Sequence, residues 1–175
     1  MSQAANGGVL LPVGEGGAHD QNQYLTFMLG RETLAIGILA IKEILEYGQP
    51  TEVPMMPSCI RGVINLRGAV VPVLDLAARL NRGSQPITKK TCIVIVEIQA
   101  GEERQVLGVV VDAVNEVLEI AASEIEPPPA FGTAIRTDFI AGLGKVNGKF
   151  VIVLDVNRVL SIEDAALLGE QTAAA

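Results

Sequence analysis

Between a Gly-rich start and an Ala-rich end, the chain is a succession of short apolar runs separated by turn residues. "QYLTFML" and "TLAIGIL" flank Gly30-Arg31, and "GVINL" and "AVVPVL" flank Arg67-Gly68. "TCIVIVEIQ" and "RQVLGVVVDAV" flank "AGEE", and "FIAGLGKV" and "KFVIVLDV" flank Asn147-Gly148. Each pair reads as a β-hairpin. The last carries the strongest signal, because Asn and Gly both accept the positive φ of a tight turn. Pro72 has no amide to donate to a ladder, so its run is expected at a sheet edge or a bulge. Short helices are expected after Asp75 ("LAARLN") and after Asp155 ("VNRVLSIEDAALLGE"). Residues 1–22 are small, Gly-rich and aperiodic, and read as a disordered leader. Residues 166–175 read as a tail.

An internal repeat runs through the rest. "LAIGILAIKEIL" (Leu34 to Leu45) aligns without gaps on "LGVVVDAVNEVL" (Leu107 to Leu118). Leu34/Leu107, Ala40/Ala113, Glu43/Glu116 and Leu45/Leu118 are identical, and four further pairs exchange Ile for Val. "VVPVLDLAARL" (from Val70) aligns on "FVIVLDVNRVL" (from Phe150), with "VLD" in both. The blocks keep their order, which points to two copies of about seventy residues and to two similar small β-barrels.

Composition supports a packed core: 49% of the 175 residues are apolar and 19% charged. The apolar residues are aliphatic, with no Trp, two Tyr and four Phe. No run approaches the ~20 residues of a membrane span, and the first thirty residues hold no Lys or Arg for a signal peptide. A cytoplasmic protein is expected, without direct membrane insertion. Cys59 and Cys92 sit in apolar segments and are expected to be reduced and buried. The formal net charge of −7 is uneven. From Arg61 to Lys90 six cations accompany one carboxylate, and from Thr91 to Glu126 one arginine accompanies eight carboxylates. Such asymmetry steers association with charged proteins, or simply marks two solvated faces. A β-barrel nucleic-acid binder is a remote alternative: the basic stretch has no aromatic residue for stacking, and the whole chain repels phosphate.

Catalytic equipment is scarce. One His, in the leader, supports neither a nucleophile–base pair nor a Cys/His metal site. "GLGKVNG" lacks the ending of a phosphate loop and runs into a strand, so hairpin glycine is its meaning. Asp75 and Asp155 occupy matching strand-to-helix junctions, where an N-cap accounts for them better than paired catalytic carboxylates do. No enzyme activity and no cofactor are expected.

The stretch "PSCIRGVINLRGAVVPVLDL" (Pro57 to Leu76) resembles the signature of the CheW family of chemotaxis coupling proteins. "LTFMLGRETLAIGILAIKEIL", "GVVVDAVNEVL" and "TDFIAGLGKVNGKFVIVLDVNRVL" resemble its flanking parts, so the resemblance covers about residues 23–165. It implies an all-β CheW-like fold with short helices, made of two intertwined five-stranded SH3-like barrels. It implies a non-catalytic adaptor joining the cytoplasmic tips of methyl-accepting chemotaxis receptors to the regulatory domain of the histidine kinase CheA. The adaptor is then cytoplasmic and recruited to membrane-associated receptor arrays. A non-swimming chemosensory pathway, serving pili or biofilm, is the alternative setting. Cys59 departs from the pattern, standing where many relatives carry a bulkier residue.

By the same resemblance Arg67 belongs to the receptor-facing region, with Glu43 its acidic neighbour at the edge of the first barrel. Arg61 is either a matching basic position or a solvated charge. The repeat makes Ile41 and Val114 equivalent, so face-to-face barrels place them either on opposite walls of an apolar groove for a receptor helix or in the core. Phe131 follows three prolines in "IEPPPAFG" and is expected either to anchor the kinase or to plug the space between the barrels.

Overall fold

The computed structural model describes residues 8–10, 22–80, 82–83, 85–127 and 139–160. They form two six-stranded sheets. The first contains, in spatial order, β1 (Gly8–Leu10), β4 (Ile41–Glu46), β7 (Cys92–Ala100), β8 (Glu103–Val111), β6 (Ala69–Asp75) and β5 (Ile60–Leu66). The second contains β10 (Ile125–Glu126), β11 (Ile140–Val146), β12 (Lys149–Leu154), β3 (Glu32–Gly37), β2 (Gln23–Leu29) and β9 (Ala113–Glu119). Without β1 and β10 each sheet has five strands, as the expected pair of SH3-like barrels requires. All four expected hairpins form. Arg67-Gly68 turns with φ of 54° and 88°, and Asn147-Gly148 with 51° and 80°. Both central residues are left-handed, the geometry that matches strand twist in a two-residue hairpin. Arg67 therefore holds a conformation usually left to Gly or Asn.

The repeat is visible in the pairing, but the copies do not fold separately. In the first sheet β6 pairs in parallel with β8, Val73 opposite Gly108. In the second, β12 pairs in parallel with β3, Val153 opposite Ala35. Under the sequence alignment these two pairs are equivalent. Each barrel thus takes a hairpin from one copy and three strands from the other. The main core is shared between the sheets, packing Leu25, Phe27 and Ile36 with Val94, Val96 and Val109. Smaller clusters fill each barrel, around Ile93 and Ile95 in one and Val151 and Val153 in the other.

Of the two settings expected for Pro72, a sheet edge or a bulge, the structure shows the second: the β5–β6 ladder carries a bulge between Ile60 and Gly62, next to the Val63–Pro72 pair. Strand β6 is interior, with β8 and β5 on either side. Pro72 is tolerated because the β8 ladder begins only at Val73, whereas in the second sheet the equivalent Ile152 is already paired with Leu34. The leader, expected to be disordered, is not wholly without structure, since Gly8–Leu10 lies antiparallel on β4. Apart from Asn22, the rest of the leader falls outside the described residues, as do the tail and Phe131.

Two one-turn helices, α1 (Leu76–Arg79) and α2 (Val156–Val159), follow the two "VLD" strands. Asp75 accepts the amides of Ala77 and Ala78, and Asp155 that of Arg158, as N-caps do. The helices meet where the copies face each other. Arg79 Nε donates to the carbonyl of Val159, its own repeat equivalent, at 2.7 Å, and its guanidinium lies 4.7 Å from the Phe139 ring centroid.

Candidate functional site

Strand β4 starts after a short 3-10 turn at Ile38–Ala40 that breaks the long apolar run. Its first positions alternate, with Ile41 buried, Lys42 exposed and Glu43 buried. The two buried side chains have different surroundings. Ile41, 4% exposed, belongs to the shared core, and the half-buried Val114 packs against that same core. Of the two placements expected for Ile41, groove wall or core, the structure shows the core.

Glu43 faces a seam. The first barrel closes at one end through reciprocal backbone hydrogen bonds of 2.8 and 2.9 Å between Thr51 and Val63. At the other end β4 and the β5–β6 turn share no ladder. There Arg67 Nη2 donates to Oε1 and Oε2 of Glu43 at 2.7 and 3.1 Å. The carboxylate is almost fully buried, while the arginine side chain remains 56% exposed. The hydrogen bond to Glu43 and its negative charge raise the Arg67 pKa above its ordinary value. A cavity of about 300 Å³ adjoins the pair, lined by apolar Leu66, Ile95 and Val106 as well as by Lys42. Lys42 bonds Glu97 at 3.1 Å, and Arg104 approaches Glu97 at 3.5 Å. The hydrogen bond from Lys42 lowers the Glu97 carboxyl below its ordinary range, with Arg104 contributing.

The second barrel has no counterpart of this pair. Its residues at the two positions are Glu116, which is exposed, and Asn147. The clasp is therefore a property of one barrel, in a molecule whose backbone repeats.

Arg61 has an internal task. Its Nε and Nη2 reach Asp75 Oδ2 at 3.0 and 2.9 Å, and its Nη1 donates to the Tyr47 hydroxyl at 3.2 Å. Burial opposes its charge, but Asp75 and Tyr47 outweigh burial and raise its pKa. Arg61 holds the carboxylate that caps α1. No local spacing in the sequence announces this, because the partners come together only when the hairpin closes. Phe131 is not among the described residues, so its two expected roles are not distinguished by geometry. Among the described residues no helix is long and apolar enough to cross a membrane.

Residues 23–164 match the family model of the CheW-like domain. The chain is 36% identical over 146 residues to the chemotaxis protein CheW of Klebsiella aerogenes, covering 83% of this chain and 86% of that one. It is 37% identical over 142 residues to CheW of Bacillus subtilis, covering 81% and 88%. The crystal structure of the scaffolding protein TtCheW from Thermoanaerobacter tengcongensis superposes with a TM-score of 0.72 at 36% identity, covering 79% of this chain and 87% of that one.

Proposed function

The chain belongs to the CheW family of chemotaxis adaptors, and from that premise we propose that it joins the cytoplasmic tips of methyl-accepting receptors to the regulatory domain of CheA without catalysing a reaction itself. The observation that carries the reading is the family match over residues 23–164, which includes the Asn65–Gly68 turn and its Glu43 clasp. The clasp presents a cation in a left-handed turn whose direction is fixed by a buried carboxylate. Glu43 and Arg67 form the receptor-facing part of the proposal. Val114 is a flanking contact, and Ile41 supports it from the core. Phe131 is proposed as the kinase anchor on its sequence context alone. Recruitment to membrane-associated arrays follows from binding the receptors.

The test is a co-sedimentation assay with a receptor cytoplasmic fragment and the CheA regulatory domain, with a salt-titrated oligonucleotide as control. The wild type should retain both proteins and release the oligonucleotide at moderate salt. Arg67→Glu should fold, keep CheA and lose at least about tenfold in receptor affinity, or about 1.4 kcal/mol and more. Normal receptor recruitment by a folded Arg67→Glu protein would remove the site from the proposal.

A further inference from the structure

Strand β1 places Gly8 opposite Leu45, Val9 opposite Ile44 and Leu10 opposite Glu43. The other edge of β4 belongs to β7. Strand β1 therefore occupies the edge turned to the seam, and its last residue stands beside the residue that clasps Arg67.

The repeat provides an internal control. Strand β9 matches β4, with Glu116 for Glu43 and Leu118 for Leu45, and it ends its sheet where β4 is followed by β1. Among the described residues nothing pairs with its outer edge. Strand β9 exposes Asn115, Glu116 and Glu119, and such charged, polar residues discourage strand addition. Strand β4 keeps exposed charges at the first and last of these positions, Lys42 and Glu46, and differs at the middle one, where Glu43 is withdrawn into the clasp. The cover is also short. It has three residues, and Pro12 soon follows with no amide to extend a ladder.

We propose that the edge of β4 is a docking surface that this chain's own Gly8–Leu10 occupies in the free molecule, and that a receptor tip engaging the exposed Arg67 beside it competes with Gly8–Leu10 for that edge. The leader is then a built-in competitor that lowers receptor affinity by the covered fraction. This rests on the receptor-facing reading of Arg67.

Full-length protein, Val9→Pro and a chain lacking residues 1–12 are compared for binding to a receptor cytoplasmic fragment and for amide hydrogen exchange. Val9→Pro keeps the leader attached but removes a backbone donor at the centre of β1. Both variants should bind the fragment about threefold or more tighter, the factor being the reciprocal of the uncovered fraction. CheA binding should be unchanged. Amides of residues 42–46 should exchange faster in both free variants, and those of residues 8–10 should lose protection in wild type saturated with receptor. Equal or weaker receptor binding by the variants, or residues 8–10 still protected in the complex, overturns the cover. Arg67→Glu is measured in parallel. If it loses receptor binding while the leader variants match wild type, the cover alone fails. If it binds normally, the site reading fails and the cover goes with it.

Discussion

Arg61 and Arg67 lie on one hairpin and serve different carboxylates. Arg61 works inward, on the cap of α1, and Arg67 works across an open seam with half of its side chain in water. The cap predicts an asymmetry between the repeats. Asp75→Ala frees two amides and leaves Arg61 with Tyr47 but without its carboxylate, and should cost about 1–2 kcal/mol in urea unfolding. Asp155→Ala frees one amide and should cost less. Equal losses would show that Arg61 contributes nothing to the cap. The same scale gives a pH dependence. Burial pushes the Cys59 thiol above its ordinary value of 9.0. The folded state therefore holds that proton more tightly than the unfolded chain does. This contribution is complete below the unfolded value and is lost as pH rises through the folded one. Between about pH 8 and about pH 10.5, the melting temperature of wild type should fall further than that of Cys59→Val. Parallel curves would exclude the thiol as a source of alkaline sensitivity.

At the scale of elements, one hairpin of each barrel carries a bulge followed by a glycine, Gly62 in β5 and Gly142 in β11. A short segment crosses each one: Thr51 over the first, and β10 over the second. Gly62 has φ of +149°, and a Cβ there would stand 2.2 Å from the Thr51 carbonyl oxygen, a backbone atom that cannot swing away. Gly62→Ala should cost about 3 kcal/mol through overpacking and strain together. Gly68→Ala, which meets nothing nearby, should cost less, its positive φ being the source of strain. Chemical denaturation of the two variants checks the order. The four hairpins were legible because their turns carry Gly, Asn or Arg-Gly between apolar runs. Strands β4 and β9 were not separable by eye, since each continues an apolar run that bends without a turn signal. The bend at Ile38–Ala40 contains no Gly or Pro to announce it. The Glu43–Arg67 contact came from family resemblance, and nothing in the spacing revealed that Glu43 would be buried.

On the scale of the whole molecule, the repeat was legible in the residues themselves, whereas the exchange came only with the family resemblance, as intertwined barrels. Alignment identifies which segments are alike, while pairing depends on which faces meet. The exchange predicts that neither copy is a folding unit. Chains of residues 1–86 and 87–175 should each lack a cooperative transition when expressed alone, and should regain one when mixed, as seen by circular dichroism. Cooperative unfolding of either half by itself would contradict the strand exchange. The charge pattern also resolves at this scale. Of the six cations from Arg61 to Lys90, four are engaged within the chain: Arg61 with Asp75, Arg67 with Glu43, Arg79 with the Val159 carbonyl and Arg82 with Glu32. The basic stretch is largely a set of internal ties, which leaves little of it for a polyanion.

Because β3 finds its parallel neighbour in β12, Leu34 waits for Ile152, roughly 120 positions later in synthesis. At about 5–20 residues per second, the first hairpin leaves the ribosome some 6–24 s before the strand that completes its sheet exists. Until β8 is made, its apolar face, with Leu25, Phe27 and Leu34, lacks even the first barrel with which it shares a core, and until β12 is made its own sheet stays open. The nascent chain must be kept from its neighbours on the same polysome until the last hairpin is made.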